Sequence, residues 1–140
     1  MTIKTNMEGK IYQALRNHMV NWTECAIAWP NEKFVPEANE PYLIIQPIGL
    51  AYDNEVITSA ICGSEHRGSW NISTVVPFTW DYSSHIGLSG RVCDYFPDGA
   101  QYVYQDVTVH ILDRPRVLFA PRIDGSGNRQ ELSVNYRAWG

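Results

Sequence analysis

Gly68-Ser69-Trp70-Asn71-Ile72-Ser73-Thr74-Val75-Val76-Pro77 is the stretch on which the fold turns. Successive side chains of a strand point to opposite faces. Trp70, Ile72 and Thr74 therefore share one side, and Asn71 and Ser73 the other. Val75 and Val76 break the alternation, and both are β-branched residues that suit a pleated surface. The pattern predicts a strand over 68–77. Upstream, Tyr42-Leu43-Ile44-Ile45-Gln46-Pro47-Ile48 is nearly continuous in apolar residues. It reads as a strand buried on both faces or central in its sheet, with Pro47 marking the exit. The two strands predict an antiparallel hairpin. Within the ambiguous residues 49–66, Val56-Ile57-Thr58 has pairing character and Cys62-Gly63-Ser64 reads as a turn.

On either side of this pair the period changes. Ile11, Leu15, His18/Met19 and Trp22 recur every three or four residues, which is one stripe of a helix over 8–22. Asn6 is placed to cap it, and Gly9 weakens its start. His18 lies beside the stripe and reads as a boundary residue rather than a ligand. Ala26-Ile27-Ala28-Trp29-Pro30-Asn31 predicts a short strand broken by Pro30. Residues 31–41 predict an ordered loop pinned by Phe34. A second helix is expected from Asp81 to Phe96, with Leu88, Val92 and Tyr95/Phe96 as its stripe and Ser83 or Ser84 as its cap. Gly87 and Gly90 each cost it about 0.5–1 kcal/mol against Ala, so close packing on the sheet or on another copy is expected there.

The remainder reads as strands. Val107, Val109 and Ile111 alternate with Thr108, His110 and Leu112. Arg116–Ala120 follows, then Glu131–Arg137 with Leu132, Val134 and Tyr136 on one face. Asp124–Asn128 between them is polar and is expected to stay unburied. The expected order is α, β, β, β, α, β, β, β in one domain spanning 1–140. The expected core is Ile11, Leu15, Leu43, Ile45, Val92, Phe96, Val107, Val109 and Val134.

Composition narrows the function. Leu, Ile, Val and Phe make up 34 of 140 residues, enough to exclude wholesale disorder. No apolar run approaches the roughly 20 residues that span a bilayer. The opening MTIKTNMEGK has no apolar core of the secretory kind, and three cysteines form no disulfide framework, so a reducing cytosol is expected. A net charge of -4 argues against a nucleic-acid module. That charge is uneven: residues 1–113 carry -7 and residues 114–140 carry +3, the latter with Arg114, Arg116, Arg122, Arg129 and Arg137. Unlike patches of this sort set register between partners.

No chemistry-bearing motif emerges. Cys62, His66, His85, Cys93 and His110 lack the paired spacing of a structural zinc site. Gly125–Gly127 falls in a predicted hairpin, not between a strand and a helix, so it makes no phosphate cradle. Glu24, Glu32, Glu37, Glu40, Asp53, Glu55 and Glu65 are spaced like a solvated face. No catalytic residue, metal ligand or cofactor is expected. Five Trp, eight Tyr and four Phe suit a core and interfaces, where Trp, Tyr and Arg concentrate.

Several short motifs stand in one order along the chain: Ala28-Trp29-Pro30-Asn31, Phe34-x-Pro36, Pro41-Tyr42-Leu43, Gly68-Ser69-Trp70 and Phe96-Pro97. In this the chain resembles the tail terminator proteins of tailed phages over nearly its whole length. The resemblance implies a lambda tail-terminator-like α/β (α+β) fold, a mixed or antiparallel sheet packed against two helices. It also implies a homohexameric ring that caps the tail tube, ends its polymerisation and offers a surface for head joining. The implied partners are further copies of the chain, the major tail tube protein and head–tail connector proteins. The implied location is the virion tail or neck, reached through the host cytoplasm. Arg114, Arg116, Arg122 and Arg129 are the candidate contacts to a neighbouring copy or to the tube. Two other readings stand beside this one: a head completion or stopper protein of the neck, and a small cytosolic enzyme using Cys62 (with His85 or His110) or Cys93.

Overall fold

The computed structural model describes residues 7–52, 65–118, 120–125 and 127–140. The Asn6 cap, the pairing of Val56–Thr58, the turn at Cys62–Ser64 and Cys62 itself lie outside them. The chain runs α1 (Met7–Met19), β1 (Ala26–Ala28), β2 (Tyr42–Tyr52), β3 (Glu65–Pro77), α2 (Tyr82–Asp94), β4 (Gln101–Tyr104), β5 (Val107–Ile111), β6 (Arg116–Val117), β7 (Arg122–Asp124) and β8 (Gly127–Trp139). The strands form one mixed sheet in the order β1-β2-β3-β8-β5-β4, with β6 and β7 also paired to β8. Among the described strands only the β1–β2 pair is parallel.

The predicted hairpin is the β2–β3 antiparallel pair, and β3 pairs along its whole length with β8. The helices lie on one face of the sheet, α1 against β4 and β5 and α2 against β3, β6 and β8. Every residue of the expected core is buried between helices and sheet, joined by Trp70, Ile72, Leu88, Leu132, Tyr136 and Ala138. The chain is α+β, the class that its resemblance implies.

Several expectations need correction. Of its two readings, β2 is the inner strand, lying between β1 and β3, and is not buried on both faces: Leu43 and Ile45 are buried, Tyr42 and Ile44 are half-buried, and Gln46 and Pro47 are exposed. Pro47 does not end β2 either. The ladder to β1 stops at Ile44, so beyond it one side of β2 needs no N–H donor, and proline is tolerated there. The helix α1 ends at Met19 rather than 22, yet Trp22 still reaches the core, carried by a tight turn in which its N–H bonds the Met19 carbonyl. The cap of α2 is Asp81, whose Oδ1 accepts from the Ser84 N–H at 2.7 Å; the serines lie inside the first turn. β4 and β7 have no counterpart in the sequence patterning, and β6 stops at Val117. Gly127, placed in a polar loop by the sequence, opens β8 and is buried: a Cβ there would sit 2.3 Å from the Val76 carbonyl oxygen. A Cβ at Gly90 would meet nothing within 4 Å, so packing on this sheet does not explain that glycine.

Candidate assembly surface

The helix-free face of the sheet can be built from register alone. Tyr42, Val75, Arg129 and Arg122 pair one to the next across β2, β3, β8 and β7, and paired residues share a face. The next rows on that face hold Ile44, Ser73 and Glu131, then Gln46, Asn71, Ser133 and Arg116. Its β8 part is polar because the alternation that sends Leu132, Val134 and Tyr136 into the core sends their neighbours here, while Tyr42, Ile44 and Val75 make its β2–β3 part apolar.

The four predicted arginines separate into different environments. Arg129 is held within the chain: its guanidinium lies 3.2 Å from Asp124, 3.5 Å from Glu131, 3.1 Å from Ser73 Oγ and 3.1 Å from Gln46 Oε1. Arg122 reaches the same Glu131 at 3.2 Å but remains exposed. Arg114 lies apart, against α2, paired with Asp94 at 2.8 Å and donating to the Gly90 carbonyl; the Asp94 bond holds its pKa above the ordinary arginine value. Arg116 is exposed and makes no ion pair among the described residues. The fold thus brings Arg122 and Arg129 together around Glu131 and leaves Arg116 unmatched among the described residues.

Beneath α2 lies a polar chain that patterning alone did not single out. His85 and Ser89 are one turn apart on the buried side of the helix, facing Thr74 of β3 and Gln130 of β8. His85 Nε2 lies 3.1 Å from the Thr74 carbonyl, which can only accept, so this nitrogen carries the proton. It also lies 3.0 Å from Thr74 Oγ1. Thr74 Oγ1 is 2.8 Å from Ser89 Oγ, and Ser89 donates to Gln130 Oε1 at 2.7 Å. Each proton has one acceptor, so the group is satisfied and orients α2 on the sheet. Burial lowers the His85 pKa, partly offset by the Thr74 carbonyl. The signal was present in the sequence, since Thr74 shares a face with Trp70 and Ile72 while His85 and Ser89 fall in step with Leu88 and Val92.

His18 proves a wedge between elements. Its ring stacks between Tyr95 and Tyr102 at 4.1 and 4.2 Å, and Nε2 donates to the Tyr95 carbonyl at 2.6 Å. Burial lowers its pKa and pushes the Tyr102 hydroxyl up to about 12. The two thiols among the described residues are not activated. Burial raises the pKa of Cys93, which is closed off inside the core, and of Cys25, which accepts from Trp22 Nε1. His85 is occupied in its network and His110 packs edge-on against Trp139. Among the described residues no three His, Cys, Asp or Glu side chains are grouped to hold a metal ion, and no helix is long and apolar enough to cross a membrane.

The family model described as phage tail terminator protein matches residues 10–136 of this chain. One solved structure superposes with a TM-score of 0.73 at 18% identity, covering 96% of this chain and 97% of the other, which is a likeness of fold. No curated protein matches.

Proposed function

Because the chain belongs to the phage tail terminator family, we propose that it closes into a homohexameric ring on the end of the tail tube. There it ends tube polymerisation and presents a surface to the head–tail connector proteins. The chain is a structural phage protein and not an enzyme. The family match over residues 10–136 carries the reading. Physical support comes from the division of charge, -7 in residues 1–113 and +3 in residues 114–140. A ring requires a head-to-tail contact between two unlike surfaces. Arg114, Arg116, Arg122 and Arg129 are the cations placed at such contacts, with a neighbouring copy or with the tube. Arginine suits them because its planar fork can hold a carboxylate through two bonds. The protein then acts at the tail–neck junction of the virion, after assembly in the host cytoplasm.

The test is deletion of the gene from its phage. Overlong tail tubes without heads, corrected by a plasmid copy, are expected. Tails of normal length that fail to join heads would replace the terminator reading with a head completion or stopper role. Complete, normal particles would end both.

A further inference from the structure

We propose that the contact between copies seats the outer edge of β6 and β7 in a groove beside β1, the two being complementary surfaces of the same chain. The proposal rests on the ring reading and names the surfaces that close it. The groove, about 240 Å³, lies between Cys25 and Ala26 on one side and the loop 34–42 on the other. Its apolar part is Phe34, packed on Tyr42 with centroids 5.1 Å apart, and Val35, which is 72% exposed. Its rim carries Glu37 and Glu40, both exposed and without an ion pair among the described residues. The nearby Glu24 and Glu32 are already matched by Arg91 and Arg16. Two unmatched carboxylates beside an exposed valine call for a partner both basic and apolar.

The same chain supplies one at the far side of the sheet. Residues 114–123 hold three arginines and no carboxylate. Arg116 has no ion-pair partner among the described residues, Arg122 stays exposed, and Leu118 and Ile123 are 45% and 76% exposed. β6 and β7 pair with β8 on one side, and no described strand lies beyond them. Crossing from β1 through β2, β3 and β8 to β6 takes four strand spacings, about 19 Å at roughly 4.8 Å each. The groove therefore cannot be filled by its own β6. A neighbour's β6 can fill it, and the resulting contact joins opposite edges, so it repeats head to tail and closes only as a ring.

The test uses two variants whose altered residues make no ion pair among the described residues of the protomer. Glu37→Lys/Glu40→Lys reverses the groove, and Arg116→Glu reverses the edge. Light scattering on the purified full chain should show self-association weakened about tenfold or more in each variant. Thermal unfolding at a dilution where parent and variants are all monomeric should be the same. Mixed in equal amounts, the variants should recover the parent mass. The intact groove of one then meets the intact Arg116 of the other, and the reversed groove meets the reversed edge. In phage lacking the gene, each variant alone should fail to restore particles and their co-expression should succeed. Variants that assemble like the parent, losses that mixing does not repair, or a parent chain that never associates would each overturn the contact. Parent chain that associates through these surfaces yet leaves tail length uncorrected would overturn the terminator reading and spare the contact.

Discussion

The two faces of the sheet are built from the same strands and do opposite work. On the helix side, Leu43, Ile45, Trp70, Ile72, Leu132 and Val134 are at most 2% exposed, closed by Leu15 and Val92. On the open side, the alternate residues of those strands are Ile44, Gln46, Asn71, Ser73, Val75, Glu131 and Ser133, with Arg129 among them. Dry packing on one face holds the fold. The other face carries the polar and charged residues, with Ser73 and Val75 buried among them.

Truncation within the closed face should cost most. Leu15→Ala or Leu43→Ala should each lose about 2–5 kcal/mol in urea unfolding, through lost burial and the cavity left behind. A loss well below 1 kcal/mol would mean that the core is not where the stability lies. The next effect belongs to the polar chain within that face. Ser89→Ala removes the buried hydroxyl that bonds Thr74 Oγ1 and donates to Gln130 Oε1, and should cost about 1–3 kcal/mol, the usual range for a broken buried hydrogen bond. A neutral result would show that water enters beneath α2.

The pH dependence refines the contrast further. Folded His85 and His18 bind a proton less readily than unfolded histidines, which titrate near 6.5. The unfolded chain therefore takes up more protons in acid. The stability that these residues contribute is whole above pH 6.5 and drains as the pH falls through that value toward the lower folded pKa. Urea midpoints should decline over that window, and His85→Gln should flatten the decline; an unchanged slope would remove His85 from the cause. The smallest effect belongs to the exposed side. Arg114→Ala breaks a solvated pair with Asp94 and should change stability by only about 0–1 kcal/mol, measured by the same unfolding curve.

Much of this division is legible in the sequence. The alternation of Trp70, Ile72 and Thr74, and of Leu132, Val134 and Tyr136, assigns residues to faces because strand period is a local property. The spacing of Ile11, Leu15 and Trp22 does the same for α1. Boundaries are less legible. Pro47 reads as a stop, yet it lies within β2 because the β1 ladder ends at Ile44. Asp81 rather than a serine caps α2, which depends on which residue leaves helical geometry first. Of the candidate contacts, the sequence identifies four arginines but cannot sort them. Arg129 and Arg116 look alike in sequence, and only the register that sets Arg129 beside Asp124, Glu131, Ser73 and Gln46 makes it an internal strut.

Local pattern was enough for the class of fold, the residues of the core and the family, since each follows from periodicity, composition and the order of short motifs. Partnership needed three dimensions. Thr74, His85, Ser89 and Gln130 come from three elements separated by up to 56 positions, and only packing α2 on β3 and β8 joins them. Glu37, Glu40 and Arg116 are recognisable as unmatched among the described residues only once the neighbouring charges have found their own partners in space. Ion pairing depends on distances of a few ångströms, and distances between remote parts of a chain are fixed by the fold rather than by any local pattern.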